Sequence, residues 1–299
     1  MILFENFKSW KQYCQENNLP VFYPVLEYEI REKGSSEQQI REGLLKALEV
    51  MKEAVQTGLS ENMQSRSGMV NNSGKKVFNA PVTVLSPEFK RLISRALAAK
   101  EVNSCMGRIV AAPTAGASGI LPGILVTLQE LHHISDEKII ESLLVAAGIG
   151  LIMERNASIA GAVGGCQAET GAAAAMGSGA IVYSLGGSID EVFTAVAITV
   201  QCMLGLVCDP VAGLVEVPCI VRNASASAIA YSSAQIALSG VSPVIPVDEC
   251  VEAMGEIGQS MESRYKETAL GGLAATLTGQ AIAKKVLIHD IEVLPDQTQ

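Results

Sequence analysis

Between Glu169 and Asp190 the chain runs for 20 residues without a charge, and much of that run is alanine, glycine and serine (TGAAAAMGSGAIVYSLGGSI). A stretch this long and this free of charge has to be buried, either in a bilayer or in the middle of a protein core. Its side chains are too small to fill a core at ordinary helix spacing, so the backbones around it must approach closely. A second stretch of the same kind, NASASAIA at 223–230, asks for the same packing.

The bilayer is the reading to exclude first. The uncharged runs are broken by Pro113 and Pro122 and by Ser, Thr, Gln and Asn, and they carry too little Leu, Ile, Val and Phe for insertion. Aromatic residues are only 4% of the chain, which leaves nothing to form interfacial belts. The first residues (MILFENFKSWKQYC) mix charges into their apolar positions and contain neither a secretory core nor a cleavage site. A cytoplasmic protein without membrane spans is expected, with its seven cysteines reduced and free to bind metal. With 299 residues, 48% of them hydrophobic, the chain can bury a large core. A net charge of -9 and the absence of a dense Lys/Arg block exclude a nucleic-acid footprint, leaving a small molecule as the expected ligand.

Helix signals dominate. From Ser36 the pattern SEQQIREGLLKALEVMKEAVQTG combines a capping box (Ser36 with Gln39), apolar residues at Ile40, Leu44, Leu48, Met51 and Val55, and Gly58 as a stop. Residues 60–85 carry turn formers and then a short β-branched run, which predicts a loop with one brief strand and leaves room for a functional role. Later helices open at Ser86 with Pro87, at Ser135, and at Ser188, whose partner in a second capping box is Glu191. Strand-like alternation is scarce and no Pro- or Ser-rich linker divides the chain. Residues 1–299 therefore read as one mainly α-helical domain, with amphipathic helices over 1–58, the loop over 60–85, and a site-bearing core over 105–290.

Three segments at predicted helix boundaries concentrate the special residues: 108–123 (RIVAAPTAGASGILPG), 161–171 (GAVGGCQAETG) and 206–223 (LVCDPVAGLVEVPCIVRN). Cys166 precedes a helical run, Cys208 is read as closing one helix, and Cys219 follows Pro218 where another helix can open. A helix N-terminus stabilises a thiolate, the state in which sulfur binds a metal. The spacing, 42 residues from Cys166 to Cys208 and 11 on to Cys219, matches neither zinc ribbons nor ferredoxins. By chemistry alone these three are either metal ligands or small buried hydrophobes, the reading that also suits Cys14, Cys105, Cys202 and Cys250.

The stretches APTAGASGILPG, GGCQAETG, CDPVAG and VPCIVRN, in this order and spacing, resemble the α subunit of bacterial iron-sulfur-dependent L-serine dehydratase over nearly the whole chain. The resemblance implies a lyase that converts L-serine to pyruvate and ammonia, with a 4Fe-4S cluster held by Cys166, Cys208 and Cys219 and one iron left open as a Lewis acid for the departing hydroxyl. It also implies a β subunit as partner. Within that reading the glycine-containing loop PTAGASG at 113–119 is expected to hold the substrate carboxylate through Thr114 and Ser118. Arg222 is expected to offset the cluster's charge and bind substrate, or else to form a surface ion pair, and Asn223 to cap a helix. Ser65, Arg66, Ser67, Lys266 and Glu267 read as solvated positions.

The general base is not legible. His132 and His133 read as a helix end and His289 lies in no motif, so nothing in the chain is expected to be poised for proton transfer near pH 7 and the base is assigned to the β subunit. Some fused relatives carry a terminal cysteine as a displaceable fourth cluster ligand, whereas this sequence ends VLPDQTQ, which leaves the resting fourth ligand open. A pyridoxal-phosphate enzyme is excluded by the lack of a glycine-run phosphate loop with a suitable lysine. Two alternatives stay in view: a related iron-sulfur lyase acting on cysteine or another small amino acid, and a non-catalytic cluster protein.

Overall fold

The computed structural model describes residues 3–293 apart from 66, 82 and 83, with side chains described as far as residue 287. The architecture is mainly α. The N-terminal part holds α1 (Phe7–Asn17), α2 (Tyr23–Lys33), α3 (Glu37–Ser60), α4 (Ser73–Asn79) and α5 (Pro87–Ser104). The middle holds α6 (Ile120–His132), α7 (Asp136–Asn156), the single turn α8 (Gly161–Gly164), α9 (Ala172–Ser184) and α10 (Ile189–Met203). Then follow α11 (Cys219–Leu238), α12 (Val247–Ser260) and α13 (Leu277–Val293). Among the described residues there is no named strand, only an isolated bridge between Cys208 and Lys266. No helix among them is long and apolar enough to cross a membrane.

The helix starts follow from local chemistry. The Ser36 hydroxyl accepts from the Gln39 N–H at 3.2 Å while the Gln39 side chain accepts from the Ser36 N–H at 2.9 Å, satisfying two of the donors a helix leaves unpaired. Ser86, Ser135 and Ser188 cap α5, α7 and α10, the last in a second reciprocal box with Glu191. Gly58 does not end α3, which runs on to Ser60 because the glycine lies against the backbone of Ala98 on α5. The predicted loop at 60–85 contains α4, anchored where the Glu101 carboxylate accepts from the N–H groups of Ser73 and Gly74 at 2.6 and 3.0 Å. The strand predicted there falls partly on Val82 and Thr83, which lie outside the described residues.

The uncharged run becomes α9, and all 13 of its residues are buried. It packs between α7, α10, α11 and α6. Gly179 shows why the run is small: any Cβ there would collide with the Ile149 side chain on α7. An aromatic layer closes the other side, with Trp10 stacked on Phe4 at 5.0 Å between centroids and Phe7 edge-on to Phe193 at 5.0 Å. Full burial of such rings stabilises the fold by on the order of 2 kcal/mol each.

Candidate functional site

Chain breaks in the helical pattern converge at one end of α9. After α8 the backbone turns through Gly165 at φ 74°, a conformation suited to glycine, and Cys166 then opens a π-helical turn, Gln167–Gly171, that leads into α9. Gln167 binds this turn to its surroundings: its N–H donates to Leu206 O at 2.9 Å, its Oε1 accepts from Gly205 N at 2.9 Å and its Nε2 donates to Met254 O at 2.9 Å. Cys208 does not close a helix. Helix α10 ends at Met203, and Cys208 sits in an extended segment whose N–H donates to Tyr265 O at 2.8 Å and whose carbonyl accepts from Glu267 N at 2.9 Å. Cys219 is the first residue of α11, as its position after Pro218 predicts.

The sulfur atoms of Cys166 and Cys208 and a carboxylate oxygen of Glu169 all lie within 4.8 Å of one another, and all three residues are buried. The Cα of Gly161 marks the same spot, because a Cβ there would stand 3.2 Å from Cys208 Sγ, 3.3 Å from Glu267 Oε2 and 3.5 Å from Glu169 Oε2. Cys219, also buried, lies outside that group of three but close enough for its charge to act on Cys208, and for that of Cys166 to act on it. The neighbouring Cys208, with Thr170 and the charge of Arg222, lowers the proton affinity of the Cys166 thiol against the effect of burial. Cys208 is raised in turn by Cys166 and by burial. Burial pushes Cys219 up to about 12, the charge of Cys166 adding to it and Lys100 opposing it. Two buried cysteine sulfurs beside a buried carboxylate form a donor set for a transition metal, which would bind the sulfurs as thiolates.

Lys100 lies on α5, fully buried, and its Nζ has no hydrogen-bond partner. Burial pushes its ammonium down to about 8, while the charges of Cys219, Glu169 and Glu216 pull it back up. An unbonded cation this deep costs several kcal/mol, which the carboxylates of Glu169 and Glu216 offset only in part. The sequence carried no signal for this residue. Ser118 Oγ is the second buried polar atom without a partner.

The other anticipated residues are accounted for as follows. Thr114 donates to Glu169 Oε1 at 2.5 Å, which ties the loop at 113–119 to the π-helical turn. Asn223 caps nothing: it is buried inside α11, accepting from Gly119 N at 2.9 Å and donating to Gly116 O at 2.8 Å, so it clamps the same loop. Arg222 is no surface pair. It is paired with the buried Asp209 at 2.8 Å and donates to Val207 O at 2.8 Å, bracing the segment that carries Cys208. Ser65 and Ser67 are not solvated but donate to Glu216 Oε2 at 2.7 and 2.6 Å, and Glu267, exposed as predicted, nevertheless reaches the site. Arg66 lies outside the described residues. His132 and the αL residue His133 end α6 and are exposed, about 18 Å of helix away from the loop at 113–119. The side chain of His289 lies outside the described residues. Of the remaining cysteines, Cys14 and Cys250 are buried as expected, whereas Cys105 is half-buried and Cys202 is exposed at the end of α10.

Comparison with known proteins decides what kind of chain builds such a pocket. The sequence profile described as serine dehydratase alpha chain matches residues 16–274. The chain belongs to this family. It is 40% identical over 277 residues to the L-serine dehydratase, alpha chain, of Peptoniphilus asaccharolyticus, covering 92% of this chain and 95% of that one. It is 38% identical to the L-serine dehydratase of Streptomyces coelicolor over 88% of its own length and 59% of that protein, and 35% identical to L-serine dehydratase 2 of Escherichia coli over 88% and 60%. Family members thus occur both as an alpha chain of this size and as longer single chains that continue well beyond the matched region. Glu169, three residues after Cys166 inside the motif GGCQAETG, is the site residue that sequence spacing alone could have flagged.

Proposed function

We propose that this chain is the α subunit of an L-serine dehydratase, acting in the cytoplasm with a β subunit and a 4Fe-4S cluster held by Cys166, Cys208 and Cys219. The observation that carries the reading is the buried group of Cys166, Glu169 and Cys208, with the two cysteines drawn together from segments 42 residues apart. Cys166, Cys208 and Cys219 would hold the cluster, which would supply Lewis-acid chemistry for the departing serine hydroxyl.

The chain's own residues do the rest. Lys100 and Ser118, buried and unpartnered, receive the substrate carboxylate, for which the clamped loop at 113–119 provides the wall. Thr114 acts through Glu169, and Arg222 acts through Cys166 and the segment around Cys208. Loss of the Cα proton and of the hydroxyl as water leaves aminoacrylate, which tautomerises to the imine and hydrolyses to pyruvate and ammonia. The proton acceptor comes from the β subunit. The burial of Lys100 with its Nζ unpartnered favours a second reading, in which Lys100, its ammonium destabilised by burial, takes that proton itself.

Anaerobic purification followed by iron and sulfide analysis tests the assignment. Cys166→Ser, Cys208→Ser and Cys219→Ser should each lose the cluster and serine turnover, while Cys14→Ser and Cys202→Ser keep both. Retention of a full cluster in any of the first three overturns the ligand set. Full turnover of serine by this chain without its partner would move the base to Lys100, and a preference for cysteine over serine would reassign the substrate.

A further inference from the structure

We propose that Glu169 is the resting ligand of the fourth iron: its carboxylate occupies the corner that the three thiolates leave open and yields it to the substrate. This rests on the cluster assignment above and names a residue for the position that the sequence leaves empty.

Spacing is the first argument. Runs of the type C-x-x-C set ligands for one iron-sulfur cluster three residues apart. Cys166 and Glu169 stand in the same relation, with a carboxylate in place of the second thiolate, and the π-helical turn carries both toward Cys208. The second argument is geometric: the Glu169 oxygen is within 4.8 Å of both sulfur atoms. Thr114 holds Oε1 at 2.5 Å, and Oε2 faces the point marked by Gly161, beside Cys208 Sγ and Glu267 Oε2. Oε1 is held by Thr114 and Oε2 accepts no hydrogen bond among the described residues, which leaves it available as a monodentate ligand.

Burial and charge give the third argument. Glu169 is 7% exposed, and among the described residues no Lys or Arg forms an ion pair with it. A buried carboxylate beside a second carboxylate is expensive without a cation between them. Lys100 contributes positive charge nearby, but its Nζ makes no hydrogen bond. The loop at 113–119 is shaped to admit the carboxylate, since any Cβ at Gly116 would run into both of its oxygens. Glu267, the other carboxylate at the spot, is exposed. A hard oxygen donor binds iron of this kind less firmly than a thiolate does, which suits a ligand that serine must displace.

Mössbauer spectroscopy of the wild-type protein and Glu169→Gln, both reconstituted with iron-57 together with the β subunit, tests this directly. The wild type should show one iron distinct from the three thiolate-bound irons, with a signal that shifts on adding serine. In Glu169→Gln that signal should already differ before serine is added, and mild oxidation should remove the fourth iron at least about tenfold faster, read as a three-iron paramagnetic signal. Glu169→Asp, which keeps the carboxylate, should restore part of the wild-type signal and serves as the check should the Gln variant load poorly. An unchanged resting signal in Glu169→Gln, or an Asp variant no closer to wild type than Gln, overturns the proposal. A wild-type protein that holds no four-iron cluster would instead overturn the cluster assignment itself.

Discussion

Helix α9 and the turn that leads into it are one continuous piece of backbone, yet they bury opposite kinds of side chain. In α9 the polar atoms are all accounted for. Ser178 donates to Ala175 O at 3.0 Å, Ser184 donates to Ile181 O at 2.9 Å, and Thr199 of the neighbouring α10 bonds to Ser178 at 2.9 Å and to Ala195 O at 2.8 Å. Around the turn at 166–171, two thiols and a carboxylate converge, and Lys100 and Ser118 are buried without partners. Unpaired buried polar groups are costly, so a fold keeps them only where a ligand completes them. The contrast separates a region built for stability from one that gives up stability for chemistry.

Lys100→Met should expose the contrast most sharply. The lysine's proton affinity falls from an ordinary 10.5 to about 8, so between those values the unfolded chain binds more protons than the folded one and stability rises with pH. Below pH 8 the cluster-free wild type therefore carries a penalty on the order of 3 kcal/mol. Denaturant titration of the cluster-free protein should find Lys100→Met more stable at pH 7, with the gap narrowing from pH 8 upward. The same substitution should lower kcat/KM for serine about hundredfold with iron content unchanged. A variant as active and no more stable than wild type would remove Lys100 from the site.

Gly179→Val tests the other half of the comparison. The added side chain meets Ile149 in a close-packed interface and should cost about 1–3 kcal/mol by denaturant unfolding, with the iron content of the folded protein retained. If instead the cluster is lost and stability is unaffected, core and site are not separable in this way. The smallest effect is expected for Thr114→Val. Loss of its hydrogen bond to Glu169 should lower kcat/KM by about tenfold and leave the melting temperature within a degree or so.

Where the structure departed from the expectations, distance along the chain is the reason. The caps at Ser36, Ser86, Ser135 and Ser188 were legible because a cap is satisfied within three residues of itself. Helix α4 was missed because Glu101, 27 residues beyond Gly74, anchors its first turn. Asn223 reads as a cap because the loop it clamps lies 107 residues away, at Gly116. Ser65 reads as a solvated position for the same reason, since its partner Glu216 comes from another segment.

The amino-acid sequence by itself determined the helical class, the close packing around α9 and the family, because periodicity, caps, residue size and linked motifs are properties of short stretches of chain. Only the tertiary structure decided that Cys166 and Cys208 meet, that Glu169 lies against them and that Lys100 is buried near Glu169 and Glu216. Proton affinity and ligation depend on burial and on charges a few ångströms away, and those neighbours are set by packing rather than by order along the chain.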